Sequence, residues 1–128
     1  MKITGLDHIV LRTTDIERAL DFYLGTLGLA PVRVDEWRAD EVGFPSVRVN
    51  DSTIIDLFAV ESRPADSALD HFCLVVEPLD WENEIRNGLR VLQGPVSRYG
   101  ARGDAQSVYV ADPDGNEIEL RNYGAISC

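Results

Sequence analysis

The sequence has little lysine, cysteine or methionine, and only two histidines. Lys2 is the sole lysine beside eleven arginines, and the formal net charge is −10. A surface this acidic repels phosphate backbones, so nucleic acid is not an expected partner. The two cysteines, Cys73 and Cys128, lack the spacing of a zinc site. They read as reduced thiols, with Cys73 as buried packing because it sits in an apolar run. No apolar run approaches the ~20 residues of a membrane span. The stretch Met1-Lys2-Ile3-Thr4-Gly5 lacks the regions of a signal peptide, so a cytoplasmic location is the expectation. Phosphate-binding glycine loops, nucleotide fingerprints and serine-nucleophile elbows are also missing. What remains is a chain of 128 residues, suited to one domain or to two small modules sharing a core.

An internal repeat runs through it. Leu6-Asp7-His8 returns as Leu69-Asp70-His71, an offset of 71 − 8 = 63. The same offset carries Ile55-Asp56-Leu57 onto Ile118-Glu119-Leu120, since 56 + 63 = 119. Each half therefore holds one histidine and, 48 positions later, one carboxylate (56 − 8 and 119 − 71).

Local patterning repeats as well. Leu6 to Arg12 predicts a strand. Thr14-x-x-Glu17 reads as a capping box opening a helix with Ile16, Ala19, Leu20, Tyr23 and Leu27 on one face. Gly25 and Gly28 are its stop signals. Three strands are predicted near 30–37, 43–50 and 53–60, with Asp51-Ser52 as the turn between the last two. Arg63 to Ala68, with Pro64, reads as a linker. The second half predicts a strand over Leu69–Val76, a helix capped by Asp80 and ending near Gly88, then strands near 90–97, 106–111 and 116–122. Asp112-Pro113-Asp114-Gly115-Asn116 is a strong turn signal before the last. The expected fold class is α+β, a single domain over 1–128 built from two βαβββ modules, about 1–62 and about 66–124.

Side chains alternate across a strand. Leu6, His8, Val10 and Arg12 then share one face, and Ile9 and Leu11 turn toward the helix. Ile54, Asp56 and Phe58 share a face, as do Leu69, His71 and Cys73, and Glu117, Glu119 and Arg121. A carboxylate between Ile54 and Phe58 is costly to desolvate without compensation. Two histidines and two carboxylates suit a borderline divalent ion, whether Zn, Ni, Co, Mn or Fe(II). His8, Asp56, His71 and Glu119 are thus candidate ligands, with Glu117 a possible substitute. Singly, each has a plainer reading: a core histidine, an Asp56 paired with an arginine such as Arg48, a surface Glu119. Asp56 is the weakest of the four, being shorter than Glu. Asp56 and Glu119 are also the candidate catalytic bases. Arg12 and Arg121 share faces with the ligands and suit an anionic group. Arg98 and Arg102 lie in a glycine-rich stretch read as a loop closing over the site. Tyr109 is a candidate hydrogen-bond donor beside the ligands, and Trp37 a candidate for stacking on a substrate ring.

At these residues the chain resembles the vicinal oxygen chelate superfamily, also called the glyoxalase, bleomycin-resistance and dioxygenase family. Leu6 to Leu11, Asp15 to Tyr23 and Leu27-Gly28-Leu29 are similar to the family's first module. Ser107 to Leu120 is similar to its closing signature. The stretch from Gly94 to Gly103, with Arg121-Asn122-Tyr123, resembles a branch of small stand-alone glyoxalase-like proteins. The resemblance implies a U-shaped mixed sheet around a metal cleft, with ligands on the first and last strand of each module. These map onto His8, Asp56, His71 and Glu119. The second ligand is usually Glu or Gln in relatives, so Asp56 is a departure. The resemblance further implies a homodimer and a small-molecule substrate; with no long apolar run, no membrane partner is expected. It implies a metal-dependent lyase or isomerase acting on a small oxygen-rich or thiol-conjugated substrate. An Fe(II) extradiol-type dioxygenase and a metal-free drug- or metabolite-sequestering protein are the alternatives.

Overall fold

A computed structural model describes residues 2–62 and 69–124. The chain divides into two compact units, Met1–Ala65 and Asp66–Cys128. The linker expected over 63–68 and the second cysteine, Cys128, lie outside the described residues.

The first unit opens with strand β1 (His8–Thr13). Helix α1 (Ile16–Leu20) follows and continues as a π-helical turn over Asp21–Thr26. Its cap is Asp15, not Thr14: the Asp15 carboxylate accepts from the Arg18 amide at 3.1 Å. Glu17 is diverted from the expected capping box because Arg38 holds both its oxygens, at 2.9 and 2.8 Å. Gly25 does not stop the helix but sits inside the π turn, while Gly28 takes the left-handed φ of 73° that ends it.

Strand β2 is short (Ala30–Val32), and the expected continuation to residue 37 is instead helix α2 (Val34–Arg38). The chain turns because Arg33 adopts φ 57°, and Asp35 and Glu36 then favour the positive first turn of a helix. Strands β3 (Ser46–Asn50) and β4 (Thr53–Ala59) form a hairpin about Asp51-Ser52. The sheet order is β1-β4-β3-β2, with β1 and β4 parallel at its edge and centre. Leu20 and Tyr23 from the helix and Leu11, Val47, Ile55 and Leu57 from the sheet are buried and form the core of this unit. Fully burying side chains of this size is worth roughly 1.5–3 kcal/mol each.

The second unit repeats the plan. Strand β5 (Phe72–Val75) is followed by helix α3 (Trp81–Arg86), capped by Asp80 through the Asn83 amide. Gly88 just beyond α3 has φ 105°. Strands β6 (Val91–Gly100), β7 (Gly103–Ala111) and β8 (Glu117–Asn122) complete it. The order β5-β8-β7-β6, with β5 parallel to β8, matches the first sheet strand for strand. The 112–116 turn is held by Asp112, which accepts from the Asp114 and Asn116 amides at 2.9 and 2.8 Å. Trp81, Val108, Val110, Ile118 and Leu120 form its core. Residues 94–103 are not a loop: β6 and β7 pair up to Gly100 and Gly103, leaving Ala101-Arg102 as the turn. Each unit is thus a βαβββ module, the first with α2 added, and the fold is α+β.

Candidate metal centre

Strand alternation turns His8, Val10 and Arg12 outward from β1 while Leu11 and Thr13 are buried. His8 and Asp56 are diagonal neighbours, since β1 and β4 pair Val10 with Asp56. In the second unit Cys73 pairs with Glu119, which places His71 in the same diagonal relation to Glu119. The 63-residue repeat is therefore a geometric repeat of the histidine–carboxylate pair.

Both histidines are oriented alike. The preceding aspartate takes each Nδ1: Asp7 contacts His8 and Asp70 contacts His71, both at 2.7 Å. This leaves each Nε2 facing its carboxylate. His71 Nε2 lies 3.2 Å from Glu119 Oε1, and His8 Nε2 lies 3.9 Å from Asp56 Oδ2. A carboxylate that fixes one ring nitrogen so that the other points at a metal is the usual outer support of a metal-bound histidine. The aspartate contact is also the main reason that both histidine pKa values are raised, against partial desolvation.

Each carboxylate is buried and braced. Asp56 is 6% and Glu119 5% exposed. Ser46 Oγ donates to Asp56 Oδ1 at 2.6 Å, and Ser107 Oγ donates to Glu119 Oε2 at 2.7 Å. Burial pushes the Glu119 carboxyl up, but Ser107, Tyr109, Arg121 and Cys73 together hold it below its ordinary value. Residues directly opposite the carboxylates also repeat: Ser46 faces Asp56 and Tyr109 faces Glu119, and 109 − 46 = 63. A hydroxyl thus stands opposite each carboxylate. Burial first, then Glu119, raises the Tyr109 pKa.

Metal bonds to nitrogen and oxygen of about 2.1 Å put neighbouring donors roughly 3.0–3.4 Å apart on one ion. The His71–Glu119 separation of 3.2 Å meets that requirement as it stands. The His8–Asp56 separation of 3.9 Å exceeds it, as expected of the shorter side chain. Among the described residues, Asp70, His71 and Glu117 form a further group whose donor atoms lie within 4.8 Å of one another.

The remaining candidates are dispersed. Arg48 does not pair with Asp56; its guanidinium donates to the Asn50 and Asp51 carbonyls. Arg12 is exposed on β1, and Trp37 is half-buried in α2 rather than on a strand. Arg98 is half-buried on β6 and Arg102 exposed in the hairpin turn. Tyr109 stands edge-on to His71 with ring centroids 5.6 Å apart. Arg121 is not a free cleft arginine. It is buried, 3.7 Å from Glu119 Oε2, donates to the Arg98 carbonyl, and its Nε has no hydrogen-bond partner among the described residues. Cys73 is exposed rather than core, because it shares the outward face of His71. Partial desolvation and the adjoining Glu119 push its thiol up to about 11.

Asp7, Asp70, Ser46 and Ser107 escaped the sequence reading. Both aspartates were visible in the repeated Leu-Asp-His triplet. Ser46 was not visible: counting back from the Asp51-Ser52 turn puts Val47 opposite Asp56, and the register shift between Arg48 and Asn50 brings Ser46 there instead. Ser107 carried no signal either, since it reaches Glu119 diagonally from a position paired with Arg121.

The profile of the Glyoxalase/Bleomycin resistance protein/Dioxygenase superfamily matches residues 5–120. A virulence protein of Salmonella typhimurium is 33% identical over 126 residues, covering 96% of this chain and 87% of its own length. A lactoylglutathione lyase of the same organism is 31% identical, covering 88% of each chain. The crystal structure of a glyoxalase/dioxygenase from Nostoc punctiforme superposes with a TM-score of 0.72 at 25% identity, covering 93% of this chain and 90% of that one. With the profile spanning nearly its whole length and both βαβββ modules in place, the chain belongs to the glyoxalase, bleomycin resistance protein and dioxygenase superfamily.

Proposed function

We propose that this protein is a divalent-metal-dependent enzyme of the lyase or isomerase type, with His8, Asp56, His71 and Glu119 as ligands to one ion. Its substrate is a small oxygen-rich or thiol-conjugated molecule, and a homodimer in the cytoplasm is its expected form. One observation carries the reading: in each module an aspartate fixes a histidine so that its Nε2 faces a buried, hydroxyl-braced carboxylate. A sequestering protein without a metal has no need to repeat that costly arrangement. The lactoylglutathione lyase likeness agrees with the reaction class.

A bound ion would supply Lewis-acid stabilisation of negative charge developing on a substrate oxygen. The two carboxylates are suited to different work. Glu119 has both oxygens engaged, by His71 and by Ser107, and its lowered pKa makes it a better ligand than base. Asp56 has Oδ1 engaged by Ser46, while Oδ2 stands 3.9 Å from His8. That oxygen is the better placed to take a proton from substrate, given hydrogen-bond reach. Tyr109 and Ser107 hold Glu119 in orientation. Arg12, Trp37, Arg98, Arg102 and Arg121 are proposed contributors to substrate binding or its support.

The 3.9 Å separation favours one second reading. If Asp56 stays off the ion, the set is two histidines and one carboxylate, which suits Fe(II) and oxygen chemistry. Stripped protein reloaded separately with Ni, Zn, Co, Mn or Fe(II) tests both. We expect hemithioacetal isomerisation with at least one of the first four. Ring cleavage of catechols with Fe(II) alone would establish the second reading. Bound metal with neither activity would refute the lyase or isomerase assignment.

A further inference from the structure

Beyond the histidine–carboxylate pair, the outward face of the β5–β8 sheet continues into a second feature. Past Cys73 on β5 comes Val75, 57% exposed, and past Glu119 come Arg121 on β8 and Tyr123 just beyond its end. There a cavity of about 400 Å³ opens, walled by Val75, Val76, Pro78 and the Tyr123 ring. Two charged residues border it, Arg102 and Glu77. The Arg102 guanidinium lies 4.2 Å over the Tyr123 ring, and its backbone amide donates to the Tyr123 hydroxyl at 3.2 Å. No carboxylate of the described residues comes within ion-pairing distance of Arg102. The hairpin turn therefore holds a cation at the lip of an apolar cavity, with no carboxylate of the described residues paired to it.

We propose that this cavity is a distal subsite for the apolar, anionic tail of the substrate. Arg102 takes a carboxylate or similar anion, and the valines, Pro78 and Tyr123 take the hydrocarbon next to it. Buried Arg121 is the spacer: it lies 3.7 Å from Glu119 and 4.9 Å from the Tyr123 ring, so the metal pair and the cavity share one packed run of side chains. From Glu119 to Tyr123 is four residues, or about 13 Å of strand. The substrate class is thus an elongated amphipathic acid, with a chelating oxygen-rich end and an anion roughly that far away. Only the chelating end rests on the metal reading above; the cavity and its cation do not.

The test begins without metal. Isotope-labelled protein in EDTA is titrated with octanoate and with octanamide, following backbone amides by NMR. Octanoate is expected to shift Val76, Arg102 and Gly124 and to bind about fivefold more tightly than octanamide, the scale of one exposed ion pair. Arg102→Gln loses that advantage, Arg102→Lys keeps most of it, and Glu77→Gln strengthens binding by removing a like charge. Equal binding by wild type and Arg102→Gln, or shifts scattered over Leu92 and Ile85 instead, overturns the proposal. The second arm loads Ni and compares octanohydroxamate with its ω-carboxylate analogue. A fivefold gain from the carboxylate in wild type, absent in Arg102→Gln, joins the subsite to the metal pair. No gain in metal-loaded wild type refutes the joined substrate. If no Ni binds, the metal reading fails, and the octanoate titration alone decides the cavity.

Discussion

Ser107→Ala removes one hydroxyl from a buried carboxylate and should be felt twice. Ser107 is fully buried and donates to Glu119 Oε2 at 2.7 Å. The cation beside that oxygen, Arg121 Nη1, stands at 3.7 Å, beyond a hydrogen bond. Losing a hydrogen bond to a buried charge costs about 1.5–3 kcal/mol. For a chain of this length, an unfolding entropy of about 2.1 cal/mol/K per residue converts 2 kcal/mol into a fall in Tm of roughly 7 °C. Calorimetry on metal-free protein would read this. The double variant Ser107→Ala/Glu119→Gln supplies the control, because a neutral amide loses only about 1 kcal/mol with the same hydroxyl. The second effect is on metal: a misoriented Glu119 should weaken binding about 10- to 100-fold. A Tm within 2 °C of wild type, or strict additivity in the double variant, would refute the view that Ser107 braces a charged Glu119.

Other outcomes follow from the same geometry. Gly100→Ala would drive a Cβ into the Arg121 guanidinium, which must then leave its seat on the Arg98 carbonyl; thermal denaturation should show a loss of about 1–3 kcal/mol. Cys73, with its thiol pushed up to about 11, should react with a thiol reagent at pH 8 about 100-fold more slowly than an ordinary exposed cysteine. Metal affinity should fall as pH drops through the raised pKa values of His8 and His71, beginning above 6.5, because an ion at Nε2 must displace the proton that the imidazolium carries there, and Asp7 and Asp70 at Nδ1 favour the imidazolium. Metal titrations at several pH values check this, and affinity level from pH 8 to 6 would contradict it.

Much of this architecture is legible in the residues, because strand alternation and the 63-residue offset are strong signals. Leu11, Ile55, Ile118 and Leu120 turn inward as period-two reading expects, and both histidine–carboxylate pairs occupy equivalent registers. Helix α2 was missed because Val32-x-Val34 imitates a strand, while the positive φ at Arg33 that breaks it is invisible in composition. The 94–103 stretch reads as a loop from its glycines, yet β6–β7 pairing absorbs them; tertiary pairing overrides local propensity there. Arg121 reads as a substrate-facing cation, but its burial depends on Gly100 and Tyr123, residues from two separate strand ends. The bracing hydroxyls depend on a register shift that brings Ser46 opposite Asp56 and on the diagonal reach of Ser107 to Glu119, neither of which spacing alone resolves.

The most direct test is the bound metal itself, measured by elemental mass spectrometry on untagged protein beside His8→Ala and His71→Ala. The account requires about one divalent ion per chain, lost in both variants, since three or four protein ligands must act together. A native protein that holds no metal, and takes up none from excess, would contradict it and leave a metal-free binding protein as the better description.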